Sequence, residues 1–155
     1  MNTPPHNYEA LLTWARLHGA TIPSSLLFPS KPHGHCQSTA PIPAGTPVFH
    51  IPHTLLITPS LADTALPQLH SLGVHARVCA FIALERRKPG FWKLYLDSLP
   101  QKFETPAYFT PEEFHVLKGT NLFFAWYDRI HVWRKEYETV KMTIPQIDWY
   151  GYHLV

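Results

Sequence analysis

Charged residues are scarce in this sequence. The 155 residues include thirteen Lys or Arg and eleven Asp or Glu, so 15% are charged while 45% are apolar. Soluble domains average about 25% charged residues. The composition excludes a disordered chain, because such chains combine high charge with few apolar residues. It also indicates that some apolar surface is committed to a ligand or a partner.

Long basic runs and long apolar runs are also missing. The net charge is +2, and no basic run interleaved with aromatic residues is present to follow a phosphate backbone. No stretch is long and apolar enough to cross a bilayer, and the N-terminus has no basic segment followed by an apolar one. We therefore expect neither nucleic acid nor a membrane as a partner. The expected location is cytoplasmic, with the nucleus as the alternative.

The chain has only two cysteines. Cys36 lies in a loop sequence and Cys79 in an apolar helical pattern, so we expect two free thiols rather than a disulfide. His33 and His35 beside Cys36 are residue types that bind zinc, but their spacing matches no known structural zinc site. We expect no metal.

The length and the sixteen prolines predict one rigid domain, residues 1–155. Its first part, 1–72, should hold an amphipathic helix, a loop rich in Pro and Ser, and short β-strands at 46–52 and 54–58. Its second part, 73–155, should be helical and end in an aromatic tail docked on the domain. The expected fold class is α+β, a small sheet covered by helices.

Several helices of the second part have clear sequence signals. The apolar spacing predicts a helix at 73–87 and a short, mostly buried helix at 91–99. Thr110 is the expected N-cap of the next helix, with Pro111 in its first turn and Glu113 completing a capping box. The last helix shows the strongest period, and its packing seam is predicted to consist of Leu122, Trp126, Ile130, Trp133, Tyr137 and Val140.

Two blocks of sequence resemble the split SET-domain protein methyltransferases of the Rubisco large-subunit methyltransferase type. The first block runs from Ser38 to Thr58 and includes "IPAGTPVFHIP" and "LLIT". The second, "VCAFIALERRKPGFWKLYLDSLPQKFETPAYFTPEEFHVLKGTNL", runs from Val78 to Leu122. The resemblance implies the N-terminal half of a SET domain, with a long final helix closing its exposed face.

The resemblance also implies a site for S-adenosylmethionine, and the sequence departs from the family there. The family's G-R-G cofactor loop falls on His33, Gly34 and His35, where two side chains obstruct a close backbone approach that glycines allow. Gly34 would contact the cofactor only if this loop is still used. The family's C-terminal half, with its N-H-S motif and channel tyrosine, has no counterpart, so the sequence is interpreted as a truncated SET domain.

Three functions are compatible with these observations. The favoured hypothesis is a protein that has lost methyl transfer and binds an apolar small molecule, without a cofactor, in an aromatic pocket where a cyclisation or cycloaddition is catalysed by shape and hydrogen bonding. A methyltransferase fragment that uses S-adenosylmethionine with a missing half is the second, and a non-catalytic interaction module the third. We expect a homodimer formed through the last helix, with exchange of segments as one form of it. The predicted substrate-binding residues are His33, His35, Trp92, Tyr95, Trp126, Tyr127 and Trp133.

Overall fold

The computed structural model describes residues 8–28, 36–99 and 105–147. The chain forms two compact units: unit 1 comprises residues 1–56 and 90–99, and unit 2 comprises residues 57–89 and 100–155. The predicted division near residue 72 stays a prediction.

Six α-helices and one two-stranded sheet form the described structure, and the α+β prediction is confirmed. The helices are α1 (Tyr8–Leu17), α2 (Pro59–Ala65), α3 (Val74–Arg86), α4 (Lys93–Ser98), α5 (Pro111–His115) and α6 (Asn121–Thr143). The antiparallel strands are β1 (Leu26–Leu27) and β2 (Gln37–Ser38). Short 3-10 helices occur at His53–Leu55, Pro67–Leu69 and Pro106–Tyr108.

Unit 1 is built on α1, which packs against α4. The chain leaves α1 through Gly19, whose φ of +92° is a conformation that glycine adopts at little cost. A Cβ at this position would lie 3.3 Å from Pro52 Cγ. Ala15, Ala20 and Leu55 form a buried cluster next to this turn, with Trp14 and Ile22 packed on it. The apolar face of the first predicted helix is therefore confirmed as a packing face.

The β-strands predicted at 46–52 and 54–58 are wrong. Residues 46–52 contribute one isolated antiparallel bridge, from His50 to Thr21, and residues 53–55 form a 3-10 helix. Pro47 and Pro52 explain the difference, because proline has no N–H to donate to a ladder and restricts the residue before it. The sheet lies instead at 26–27 and 37–38, on either side of the loop rich in Pro and Ser.

Unit 2 is a helical assembly around α3. Helix α3 packs against α2 and α6, and Arg77 of α3 forms a 2.9 Å ion pair with Asp63 of α2. The predicted helix at 73–87 is confirmed as α3. Helix α2, which the sequence analysis missed, carries a readable signal: Thr58 is its N-cap, accepting from Leu61 N–H, and Pro59 follows in the first turn.

The capping box predicted for α5 is confirmed. The Thr110 hydroxyl accepts from Glu113 N–H, and the Glu113 carboxylate accepts from Thr110 N–H at 2.8 Å. After α6, Ile144 and Ile147 are buried, so the part of the tail that the structure describes is docked as predicted. The aromatic residues beyond position 147 lie outside the described residues.

Candidate functional site

The predicted cofactor loop lies outside the described part of the chain. His33, Gly34 and His35 fall in the gap at 29–35, so the fit of S-adenosylmethionine to them rests on sequence alone. The description resumes at Cys36, whose side chain is exposed next to β2.

The five described aromatic residues of the predicted pocket are divided between the two units. Trp92 and Tyr95 belong to unit 1, while Trp126, Tyr127 and Trp133 belong to unit 2. Neither unit holds the whole predicted set. The aromatic pocket that joins them therefore stays a prediction, and each unit is described by itself.

In unit 1, Trp92 has a structural role that the sequence did not reveal. Its indole Nε1 donates to the Leu55 carbonyl at 3.3 Å, which ties the start of α4 to the 3-10 helix. Tyr95, one turn further along α4, is exposed. The prediction that 91–99 is mostly buried is wrong, because within the described α4 only Leu96 is fully enclosed.

Four rings form a cluster in unit 1: Trp14, His18, Phe91 and Trp92, of which sequence reasoning had singled out only Trp92. Trp14 and His18 of the α1 end lie 5.2 Å and 4.8 Å from the Phe91 ring, and 5.4 Å from each other. His18 Nδ1 also lies 2.7 Å from the Trp14 carbonyl oxygen. The i, i+4 spacing of Trp14 and His18 was the available signal, whereas the approach of Phe91 depends on the packing of α1 against α4.

In unit 2, the seam of α6 is confirmed except at its first position. Trp126 and Trp133 are half-buried and meet edge to face, with ring centroids 5.2 Å apart. Leu122 is 49% exposed, and Phe123 takes the inward position instead. Phe123 packs against α5, where its ring centroid lies 5.2 Å from that of Phe114.

Trp126 and Tyr127 have opposite environments. The Trp126 indole Nε1 is buried and, among the described residues, has no hydrogen-bond partner. A buried donor without an acceptor is energetically costly. Tyr127 is exposed, and its ring lies edge to face with His131 at 4.6 Å. Only Trp126 of this pair has the burial expected of a binding site.

Cys79 lies in α3 with its side chain half-buried. Burial raises the pKa of the Cys79 thiol, and the Glu136 carboxylate of α6 raises it further. The thiolate is the reactive species, so Cys79 should be protected. The two cysteines are free, as predicted.

Thiol labelling should separate the two cysteines. Iodoacetamide at mildly alkaline pH should modify exposed Cys36 at least tenfold faster than Cys79, an order of magnitude set by the burial and raised pKa of the latter. Mass spectrometry of quenched samples gives both rates, and a Cys36→Ser variant isolates the slow one. Unfolding in urea should abolish the difference. Equal rates in the folded protein would contradict the placement of Cys79.

The raised pKa of Cys79 makes the stability of the folded state depend on pH. Because the pKa of Cys79 is higher in the folded than in the unfolded state, the unfolded thiol ionises first as pH rises. The folded state should therefore lose stability above the ordinary thiol pKa of about 8.5. At lower pH both states hold the proton and there is no effect.

Within the described ranges, no three His, Cys, Asp or Glu residues come together as a metal site. None of the helices described is long and apolar enough to span a membrane.

The fold matches a solved SET domain. The crystal structure of the SET domain of LSMT bound to MeLysine and AdoHcy superposes with a TM-score of 0.80, covering 94% of this chain and 35% of that one at 19% identity. The structural class is therefore SET-like, as the resemblance implied. No family model matches the sequence.

Curated relatives agree with the fold. The ribosomal lysine N-methyltransferase set10 of Schizosaccharomyces pombe is 36% identical over 74 residues, which are 46% of this chain and 14% of that protein. The actin-histidine N-methyltransferases of mouse and human are 31% and 30% identical over 122 residues, 73% of this chain and 20% of each. The chain is homologous to SET-domain protein methyltransferases and spans a fifth or less of the length of these relatives.

Proposed function

We propose that this chain contributes the N-terminal part of a SET domain that transfers a methyl group from S-adenosylmethionine to a protein side chain. The supporting observation is the extent of the match: 94% of the chain follows a SET domain whose structure holds AdoHcy. Lysine and histidine are the acceptors in the names of the relatives, and either is the proposed acceptor here. Ribosomes and actin are intracellular, which supports a cytoplasmic or nuclear location.

Methyl transfer needs more polypeptide than the part of the SET domain that this chain matches. The sulfonium and the acceptor nitrogen must be held in line inside a channel from which water is excluded. The matched residues make up 35% of the solved SET chain, so the remaining channel walls must come from further polypeptide, in the same longer chain or in a partner. We therefore expect the 155 residues alone to bind the cofactor weakly and to transfer no methyl group.

Replacing both histidines of the predicted cofactor loop should strengthen cofactor binding. In a His33→Gly/His35→Gly variant, the backbone gains the freedom and close approach that the family's glycines provide. We expect S-adenosylmethionine to bind at least tenfold more tightly, about 1.4 kcal/mol. Isothermal titration calorimetry with S-adenosylmethionine and with S-adenosylhomocysteine measures the change.

A matched variant separates backbone freedom from side-chain bulk. His33→Ala/His35→Ala removes both imidazoles but keeps a Cβ at each position. It should therefore show only part of the increase in affinity for S-adenosylmethionine. If the wild type and both variants show no binding, the methyltransferase proposal fails. If the wild type already binds S-adenosylmethionine in the micromolar range and the glycine variant binds it no more tightly, the histidines do not obstruct the loop.

The second candidate is the predicted site for an apolar small molecule, and Trp126 is the observation that favours it. A buried indole N–H beside the Trp133 ring offers one hydrogen bond in an aromatic setting. Such a donor could polarise a bound substrate for cyclisation without a cofactor. Anilinonaphthalene sulfonate, an apolar probe with an acceptor group, should bind and should weaken about tenfold in Trp126→Phe, since one hydrogen bond is lost. Equal binding by both proteins would remove this candidate.

A further inference from the structure

Helix α3 begins at a residue that has no side chain to cap it. Its N-cap is Gly73, and its first turn contains no acidic residue. The start of a helix carries partial positive charge on N–H groups that have no partner inside the helix, and an oxygen acceptor or a carboxylate usually compensates this charge. Neither the N-cap nor the first turn of α3 provides one.

The other described helices of unit 2 are capped by their own sequence. Thr58, Thr110 and Thr120 are the N-caps of α2, α5 and α6, and each hydroxyl accepts from a backbone N–H of the first turn. Threonine is among the residues favoured at this position. Helix α3 is therefore the exception within the described part of unit 2.

A carboxylate of α6 lies where a capping side chain of α3 would begin. A Cβ built on Gly73 would lie 3.2 Å from Glu136 Oε1, closer than ordinary van der Waals contact. The φ of Gly73 is −59°, a value open to any residue, so glycine is required here for space and not for backbone conformation. The absence of a side chain at Gly73 is what leaves room for the Glu136 carboxylate.

Glu136 has no cationic side chain paired with it in the described ranges. The residue is half-buried, and none of the ion pairs found there includes it. A carboxylate that is partly removed from water is stabilised by a nearby positive charge. The N–H groups at the start of α3 provide such a charge.

We propose that the Glu136 carboxylate supplies the N-terminal charge of α3 from α6, in place of the side chain that Gly73 lacks, and that this contact fixes the rotation of α6 on α3. The two helices pack against each other within unit 2. Trp133 and Val140, three residues before and four after Glu136, lie on the same side of α6. Glu136 is thus a positioning residue for the α6 seam, and this role is independent of the proposed methyl transfer.

The Cys79 thiol provides a reporter of the charge on Glu136. Burial raises the pKa of Cys79 in α3, and the Glu136 carboxylate raises it further. Asp63 of α2, the other helix packed on α3, is paired with Arg77. The ionisation of Cys79 should therefore respond to the loss of the Glu136 charge, whereas a change in packing alone would leave its pKa unlinked to that charge.

Removing the charge without changing the size of the side chain tests the proposal. In a Cys36→Ser background, Glu136→Gln should lower the urea midpoint of unit 2. It should also speed alkylation of Cys79 about threefold at mildly alkaline pH, since no negative charge then opposes the thiolate. The pH at half-maximal rate should fall, which separates a change in ionisation from greater exposure of the thiol. Both effects on Cys79 should shrink at high salt.

Glu138→Gln is the matched control. Glu138 lies on the same helix but is exposed, so its substitution should alter neither the urea midpoint nor the pH dependence of Cys79 alkylation. If Glu136→Gln behaves like Glu138→Gln in both measurements, the proposal is overturned.

Moving the carboxylate to the N-cap tests its position. Gly73→Asp introduces a preferred N-cap residue, which should stabilise a helix whose start is free. In the wild type it should instead lower the urea midpoint, because the new carboxylate meets that of Glu136. In a Glu136→Ala background, where this space is empty, it should raise the midpoint. Stabilisation by Gly73→Asp in both backgrounds would contradict the placement of Glu136 at the start of α3.

Discussion

Replacing Leu96 by Ala should lower the free energy of unfolding of unit 1 by about 3 kcal/mol, the usual cost of a buried Leu truncation. Leu96 is fully buried at the centre of α4, which packs against α1. Truncation removes three side-chain carbons from that contact and leaves a cavity that two short helices can fill only in part. Amide hydrogen exchange should accelerate across α1 and α4, and urea unfolding should give the size of the loss.

Leu94 provides the matched control for Leu96. It belongs to the same short helix but is 40% exposed, so Leu94→Ala removes the same three carbons from a side chain that solvent reaches. We expect a loss below about 1 kcal/mol, within the range of ordinary surface substitutions. Equal losses from both variants would mean that α4 does not pack through Leu96.

The Ile147→Ala variant should destabilise unit 2 by about 3 kcal/mol, as expected for a large aliphatic side chain truncated in a core. Ile147 is 1% exposed although it follows the end of α6 by four residues. Its N–H donates to the Ile144 carbonyl, and the adjacent Gln146 carbonyl accepts from the Arg87 guanidinium. The segment is thus held by both burial and hydrogen bonds, and urea unfolding measures its contribution.

Met142 is the control for this docked segment. It lies in the last turn of α6 and is largely exposed, so Met142→Ala should change stability by less than about 0.5 kcal/mol. A small effect of Ile147→Ala, close to that of Met142→Ala, would show that the segment after α6 contributes little to the core.

The sequence predicted elements whose signals are local. Thr110, Pro111 and Glu113 specify a helix start within four residues, and Gly19 marks a helix end through its positive φ. The apolar period likewise predicted the last helix, α6. Its first seam residue was assigned to Leu122 rather than Phe123, because periodicity alone does not show that α5 packs against Phe123 through Phe114.

The β-strands were predicted wrongly because β structure depends on partners distant in the chain. Val48, Phe49 and Ile51 have the composition of a strand, but within the described residues only Thr21 pairs with this segment, at His50. The SET resemblance was confirmed, since it rested on an ordered series of motifs rather than on single elements. The assignment of pocket residues was not tested as a set, because aromatic composition does not specify which rings share a unit.

The sequence by itself determined the positions of helices α3, α5 and α6, the SET-like ancestry and the absence of charge between Lys31 and Asp63. Only the tertiary structure decided which of these apolar residues are buried. Leu96 is enclosed while Leu94 is exposed, and the Trp126 indole Nε1 is buried while Tyr127 is exposed. The physical reason is that capping and periodicity act within a few residues, whereas burial and strand pairing require the faces of distant segments to meet.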